Sequence, residues 1–158
     1  MEGSDFDELA FFRAIAGSGA RALLIGRRAL AILGLPVLTA DYEFWIDAGD
    51  AARFNAATAA FGLRPSRSPE EARAAGRYVL ENDERVDVLV ARVAPTIDGG
   101  RVVFDEIWAR RQEVALASDV AVALPSIEDL IATKRMGGRP RDAEDIRMLQ
   151  ALLSRGPR

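Results

Sequence analysis

Between positions 22 and 46 the spacing of apolar residues changes period twice. Ala22–Ile25 is a continuous apolar run, residues 27–33 place Ala29, Leu30 and Leu33 at helical spacing, and residues 41–46 alternate. Tyr42, Phe44 and Ile46 then share one face while Asp41 and Glu43 share the other. The pattern predicts a short strand, a helix stopped by Gly34, a turn at Gly34-Leu35-Pro36, and a second strand over 41–46 entered through Val37–Thr39.

The same reasoning extends along the chain. A helix is predicted over 5–17 through Leu9, Phe12, Ile15 and Ala16, capped by Ser4 or Asp5, and another from Gly49-Asp50 through Phe54 and Phe61 to Gly62. Residues 64–76, polar and holding two prolines, read as a loop with room for one helical turn from Pro69. Strands are predicted over 77–81 and 85–91 around a turn at 82–84, with Asp87 projecting opposite Val86, Val88 and Val90. Residues 95–103 turn through Asp98-Gly99-Gly100 into a brief strand, 104–110 form a helical turn, and 114–117 with 120–124 form a hairpin. Ser126 caps the next helix, with Asp129 at its third position, and Pro140 opens a closing helix whose inward side is Ile146, Leu149, Leu152 and Leu153. This order predicts one α/β (α+β) domain over 1–158: a mixed sheet flanked by helices, ending in a helical pair.

Composition narrows the chemistry. The 158 residues are 49% hydrophobic, enough for a single core, and contain no cysteine and no histidine. Disulfides, zinc–thiolate sites, imidazole ligands and Ser-His-Asp catalysis are thereby excluded. Carboxylates, Lys, Arg, hydroxyls and bound metal remain. A net charge of −3 and a pI near 5.1 do not describe a surface built around a polyanion, so nucleic acid would need a local patch such as Lys134, Arg135, Arg139 and Arg141. The acidic start MEGSDFDELA is no secretory leader and no apolar run reaches membrane-spanning length, so the expectation is a cytoplasmic protein with no membrane contact.

Asp41 and Glu43 are same-face neighbours on a strand, and their repulsion calls for a cation between them. Mg²⁺, bound by one or two carboxylates together with phosphate oxygens, suits that position. A solvated strand face gives the same alternation. Gly26 favours the first reading, because it lies between an apolar run and a helix, where backbone can approach a phosphate. Lys134 continues the stripe of Ile127 and Ile131, so it either pairs with Asp142 or Asp145 or reaches a phosphate.

These residues carry a resemblance. Ile25-Gly26, Ala29, Gly34, Pro36, Thr39, Asp41 and Glu43 resemble the signature of the nucleotidyltransferase superfamily: a small-residue turn, a helix, a Gly-x-Pro turn, and a strand with two carboxylates. The segment PSIEDLIATKRMGGRPRDAEDIRML is similar to the closing helices of the small bacterial group that includes AbiEii-type toxins. Arg27 and Glu43 depart from the pattern, which has a small residue and an Asp at these places. The resemblance implies Asp41, Glu43 and Asp87 as catalytic carboxylates holding Mg²⁺, two ions in the active state. Gly26, Arg27, Arg28, Thr39 and Lys134 would bind the NTP, supported by Asp142 and Asp145. It further implies transfer of an NMP to a hydroxyl on RNA, tRNA included, or on protein, and an antitoxin partner. The departures at Arg27 and Glu43 keep open a nucleotide-binding or protein-interaction module of the same fold.

Overall fold

The computed structural model describes residues 6–155. The first half of the chain is α1 (Glu8–Gly17), β1 (Ala22–Ile25), α2 (Gly26–Ile32), β2 (Tyr42–Ile46), a 3-10 turn (Ala48–Asp50) and α3 (Ala51–Ala59). Then come β3 (Arg64–Pro65), α4 (Pro69–Ala75), β4 (Arg77–Glu81), β5 (Arg85–Leu89), β6 (Val93–Pro95) and β7 (Arg101–Val103). The chain closes with α5 (Phe104–Ala109), β8 (Gln112–Ala117), β9 (Val120–Leu124), α6 (Ile127–Lys134) and α7 (Pro140–Ser154). As the alternation of periods implies, this is a mixed α/β architecture. A five-stranded sheet runs β1-β2-β5-β4-β3, with β2 and β5 parallel and the other pairs antiparallel.

The two faces of the sheet are covered unequally. Tyr42, Phe44 and Ile46 enter the main core with Phe11, Phe54 and Leu149, where Phe44 meets Phe54 edge to face at 5.3 Å between centroids. Alternation sends Trp45 the other way, into a smaller cluster with Leu23, Ile25, Phe104 and Ile107. There the β6–β7 hairpin and α5 lie over the sheet, and the Trp45 indole N–H donates to the Ala91 carbonyl at 2.8 Å. The positions preceding Trp45 on the same side are Glu43 and Asp41; on β5, Leu89 lies beside Trp45 and Asp87 beside Glu43. The apolar cover stops at Trp45 and Leu89, leaving the acidic half of this face open.

Five local expectations are corrected. Asp41 precedes β2 rather than opening it: Ile25 stands opposite Glu43, and at Gly26 the neighbouring chain turns into α2, so Asp41 has no partner on that side. The 64–76 stretch is β3 and a two-turn α4, because Ser68 and Glu71 form a reciprocal capping box around Pro69 and Gly76 ends the helix at φ +83°. The S-P-E-E pattern is that box written in sequence. α1 starts at Glu8, where the Asp7 carboxylate accepts from the Ala10 amide at 3.0 Å; Ser4 and Asp5 lie outside the described residues. Asp129 does not complete a box with Ser126; its carboxylate takes both arms of Arg110, at 2.8 and 2.9 Å. Leu153, expected inward, is 40% exposed, since α7 outlasts the surface it packs on.

Phe44→Ala should therefore cost about 3–5 kcal/mol in chemical denaturation, the price of a cavity between two packed helices, whereas Leu153→Ala should stay within about 0.5 kcal/mol of the parent.

Candidate active site

The open half-face is the floor of a cleft of about 930 Å³. Glu43 and Asp87 are direct partners in the parallel β2–β5 register, and Asp41 lies two residues before Glu43 on the same edge. All three border the cleft, as do Gly26, Arg27, Arg28, Thr39, Lys134 and Asp142. Asp145 lies behind them and is fully buried.

Gly26 is dictated by closeness. Its φ is +74°, and a Cβ there would stand 2.7 Å from Glu43 Oε1 and 3.2 Å from Glu43 Cβ. Only glycine accepts both the left-handed backbone and a neighbour at that distance. The chain thus passes over Glu43 and enters α2 at the cleft wall.

Behind that wall lies a chain of charges joining three helices. Arg27 on α2 donates to both oxygens of Asp145 on α7, at 3.2 and 3.0 Å, and Lys134 at the end of α6 reaches the same carboxylate at 2.8 Å. Lys134 lies 3.9 Å from Asp142, which also receives the Arg139 guanidinium and backbone N–H, each at 3.1 Å. Lys134 is thus in an ion pair with α7. Of the sequence-level basic cluster only Lys134 is buried; Arg139 pairs with Asp142 while staying exposed, Arg135 is half-buried and Arg141 exposed.

The cations and carboxylates leave opposite marks on acidity. Burial would raise the Asp145 carboxyl, but the hydrogen bonds from Arg27 and Lys134 outweigh it and hold the group below its ordinary 3.8. Burial likewise works against Asp142, where Arg139 brings the net shift down. Glu43 goes the other way. Its burial, with Asp87 adding repulsion and Lys134 only partly compensating, raises it above 4.5. Among the described residues no hydrogen bond reaches the Glu43 side chain, and of the cations near it Lys134 and Arg139 are engaged by Asp145 and Asp142.

The remaining assigned residues have definite places. Thr39 Oγ1 accepts from the Asp41 amide at 3.2 Å and so fixes the entry to β2. Arg28 lies over the Tyr42 ring, 4.2 Å from its centroid, and meets Glu8 at 3.4 Å; its Nε is buried without a partner. Asp87 is paired with Arg85, two residues back on the same strand, at 3.1 Å. Among the described residues no three carboxylates close on a single point as their side chains stand. The donor set still suits a hard cation, being oxygen-only, with Glu43 and Asp87 on neighbouring strands and Glu43 raised by burial and by its acidic neighbour.

Sequence reasoning missed the cationic lining contributed by Arg67, Arg77 and Arg85. Eight Arg and Lys side chains border the cleft against four carboxylates, on a chain whose net charge is negative.

No protein-family model matches the chain, and no curated protein does. Solved structures do. The antibiotic-resistance factor ANT(2'')-Ia superposes with a TM-score of 0.62 at 16% identity, over 95% of this chain and 86% of its own. The lincosamide antibiotic adenylyltransferase LnuA, solved with lincomycin bound, does so with a TM-score of 0.62 at 15% identity, over 94% of this chain and 98% of its own. The chain has the nucleotidyltransferase fold. The Thermotoga maritima protein TM1012 shares it, with a TM-score of 0.58 at 16% identity over 89% of this chain and 88% of its own. The nucleotidyltransferase fold is thus present from the first helix to the last, although so few residues are shared.

Opposite stability effects should follow from the two kinds of carboxylate. Because the Glu43 pKa is raised on folding, its ionisation costs stability as pH rises through the raised value; Glu43→Gln should melt higher than the parent at pH 7 and equal it at pH 4. Asp145, lowered on folding, contributes stability above its ordinary value that is lost as pH falls through the lowered one. Asp145→Asn should cost about 3–5 kcal/mol at pH 7, because Arg27 and Lys134 lose a shared counter-charge.

Proposed function

We propose that the protein binds a nucleoside triphosphate in this cleft and transfers its nucleoside monophosphate to an acceptor hydroxyl. The observation that carries the reading is the open half-face itself: Asp41, Glu43 and Asp87 border a cleft in which cations outnumber carboxylates two to one. A polyphosphate supplies the anion such a lining lacks. The nucleotidyltransferase fold over nearly the whole chain supports the same reading.

In this scheme the acceptor oxygen bonds to the α-phosphorus as the bond from that phosphorus to the α,β-bridging oxygen breaks. Pyrophosphate leaves with the electron pair. The acceptor proton passes to a carboxylate, and Asp87, partly exposed on the cleft wall, is placed to take it. Gly26, Arg27 and Arg28 border the phosphates, Lys134 adds positive potential from the α6 end, and Thr39 holds Asp41 at the rim. Asp41, Glu43 and Asp87 would hold Mg²⁺, in one or two sites, which when bound neutralises charge on the phosphoryl oxygens and the departing pyrophosphate.

The finer assignment, a cytoplasmic toxin–antitoxin component modifying RNA or protein, rests on the resemblance of residues 125–149 to the AbiEii-type group. A second reading is favoured by one contact. Arg85 holds Asp87, an arrangement suited to a module that binds nucleotide without turning it over.

Incubation with α-labelled NTP, Mg²⁺ and a mixture of cell RNA and protein should give labelled acceptor and pyrophosphate, reduced by about a hundredfold or more in Asp41→Ala. Transfer persisting in Asp41→Ala would refute the assignment. Saturable NTP binding with no transfer by the parent would select the second reading.

A further inference from the structure

Besides Arg85, which pairs with Asp87, and Arg141, at the start of α7, two sets of cations around the cleft contrast. Arg27, Arg28, Lys134 and Arg139 are each engaged by a carboxylate of the protein itself: Asp145, Glu8, Asp145 and Asp142 respectively. They belong to the end formed by α2, α6 and α7, where the proposed triphosphate lies. At the other end, on the β4–β5 side, Arg67 and Arg77 line the cleft with no carboxylate partner among the described residues. Arg67 is held there, its Nη1 donating to the Arg77 backbone carbonyl at 2.6 Å, so both arginines border the same end of the cleft. Among the described residues neither is in a salt bridge, although Arg77 acts at longer range on Glu43 and Arg67 on Glu71, so both guanidinium groups remain open to an anion.

Register fixes what lies between this pair and the chemistry. Val79 stands opposite Asp87 and Arg77 opposite Leu89, so Arg77 is two residues along the strand from the level of Asp87, or about 7 Å. That is roughly the span of one sugar ring. Val79 and Leu89, both partly buried and both lining the cleft, make an apolar floor between the two levels.

We infer that the β4–β5 end is the acceptor subsite and that the acceptor is anionic, carrying a phosphate that Arg67 and Arg77 bind while a hydroxyl one sugar ring away faces Asp87. The arginine fork matches phosphate oxygens pairwise, which makes this subsite a specificity determinant. It also separates this chain from a fold neighbour: ANT(2'')-Ia is solved with adenylyl-2''-tobramycin, and tobramycin, a polyamine, would meet like charge at Arg67 and Arg77. The inference rests on the proposed transfer reaction for its meaning, but its test does not depend on turnover.

Two probes carry a phosphate beside a sugar hydroxyl: ribose 5-phosphate and a single-stranded RNA dodecamer. Binding of each to the full chain is measured by calorimetry with the triphosphate end filled by a non-hydrolysable ATP analogue. At least one should bind, and Arg67→Gln/Arg77→Gln should weaken it by about tenfold or more, with a clearly smaller effect on analogue affinity. Arginine-dependent binding of both probes identifies a small sugar phosphate as sufficient, and of the RNA alone a polynucleotide end. Tobramycin should not compete. Equal binding by parent and double variant, binding of neither probe, or tobramycin competing at physiological salt overturns the inference. Loss of transfer in the α-labelled NTP assay with the arginine dependence intact would instead remove the reaction and leave the subsite.

Discussion

The parallel pairing of β2 with β5 is the constraint from which the site follows. It sets Glu43 directly beside Asp87 on the face away from the main core, and alternation along β2 adds Asp41 to the same edge. A sheet face carrying three carboxylates cannot be covered by apolar side chains without a large desolvation cost, so the hairpin and α5 that shield Trp45 stop short of Glu43. The cleft is the part of this face that apolar cover could not close.

The charge chain behind the cleft solves the complementary problem. α2, α6 and α7 approach one another through Arg27, Lys134, Asp142 and Asp145, whose formal charges balance. A fully buried carboxylate shared by two cations orients both helices toward the sheet, and each partner satisfies donors that burial would otherwise leave unpaired. The balance ends at Glu43, which lies near these cations but accepts no hydrogen bond from them. A carboxyl left raised at the mouth of an otherwise compensated network is a common mark of a functional position, where stability is given up for an interaction that a ligand completes.

Local signals were enough for much of the architecture and for individual residue placements. The change of period between residues 22 and 46 located β1, α2 and β2, and Gly26 and Gly34 marked the ends of α2, with φ of +74° and +90°. The box at Ser68 to Glu71 was equally local, although two prolines made that stretch look like a loop. Leu153 failed for the opposite reason. A helical period tells which side faces inward but not how far the underlying surface extends.

The order of hydrophobic periods, the absence of histidine and cysteine, and the alternation at Asp41, Glu43 and Trp45 settled which side chains could share a face and which chemistries were open to them, because these depend on neighbours a few residues apart. Tertiary structure alone decided that Arg27 binds Asp145 across 118 positions, that Lys134 is buried in an ion pair, and that Arg67 and Arg77 line the same cleft as Glu43. Those contacts join elements distant along the chain. A charged residue's partner is chosen by where the fold brings it, and no periodicity in the sequence encodes that distance.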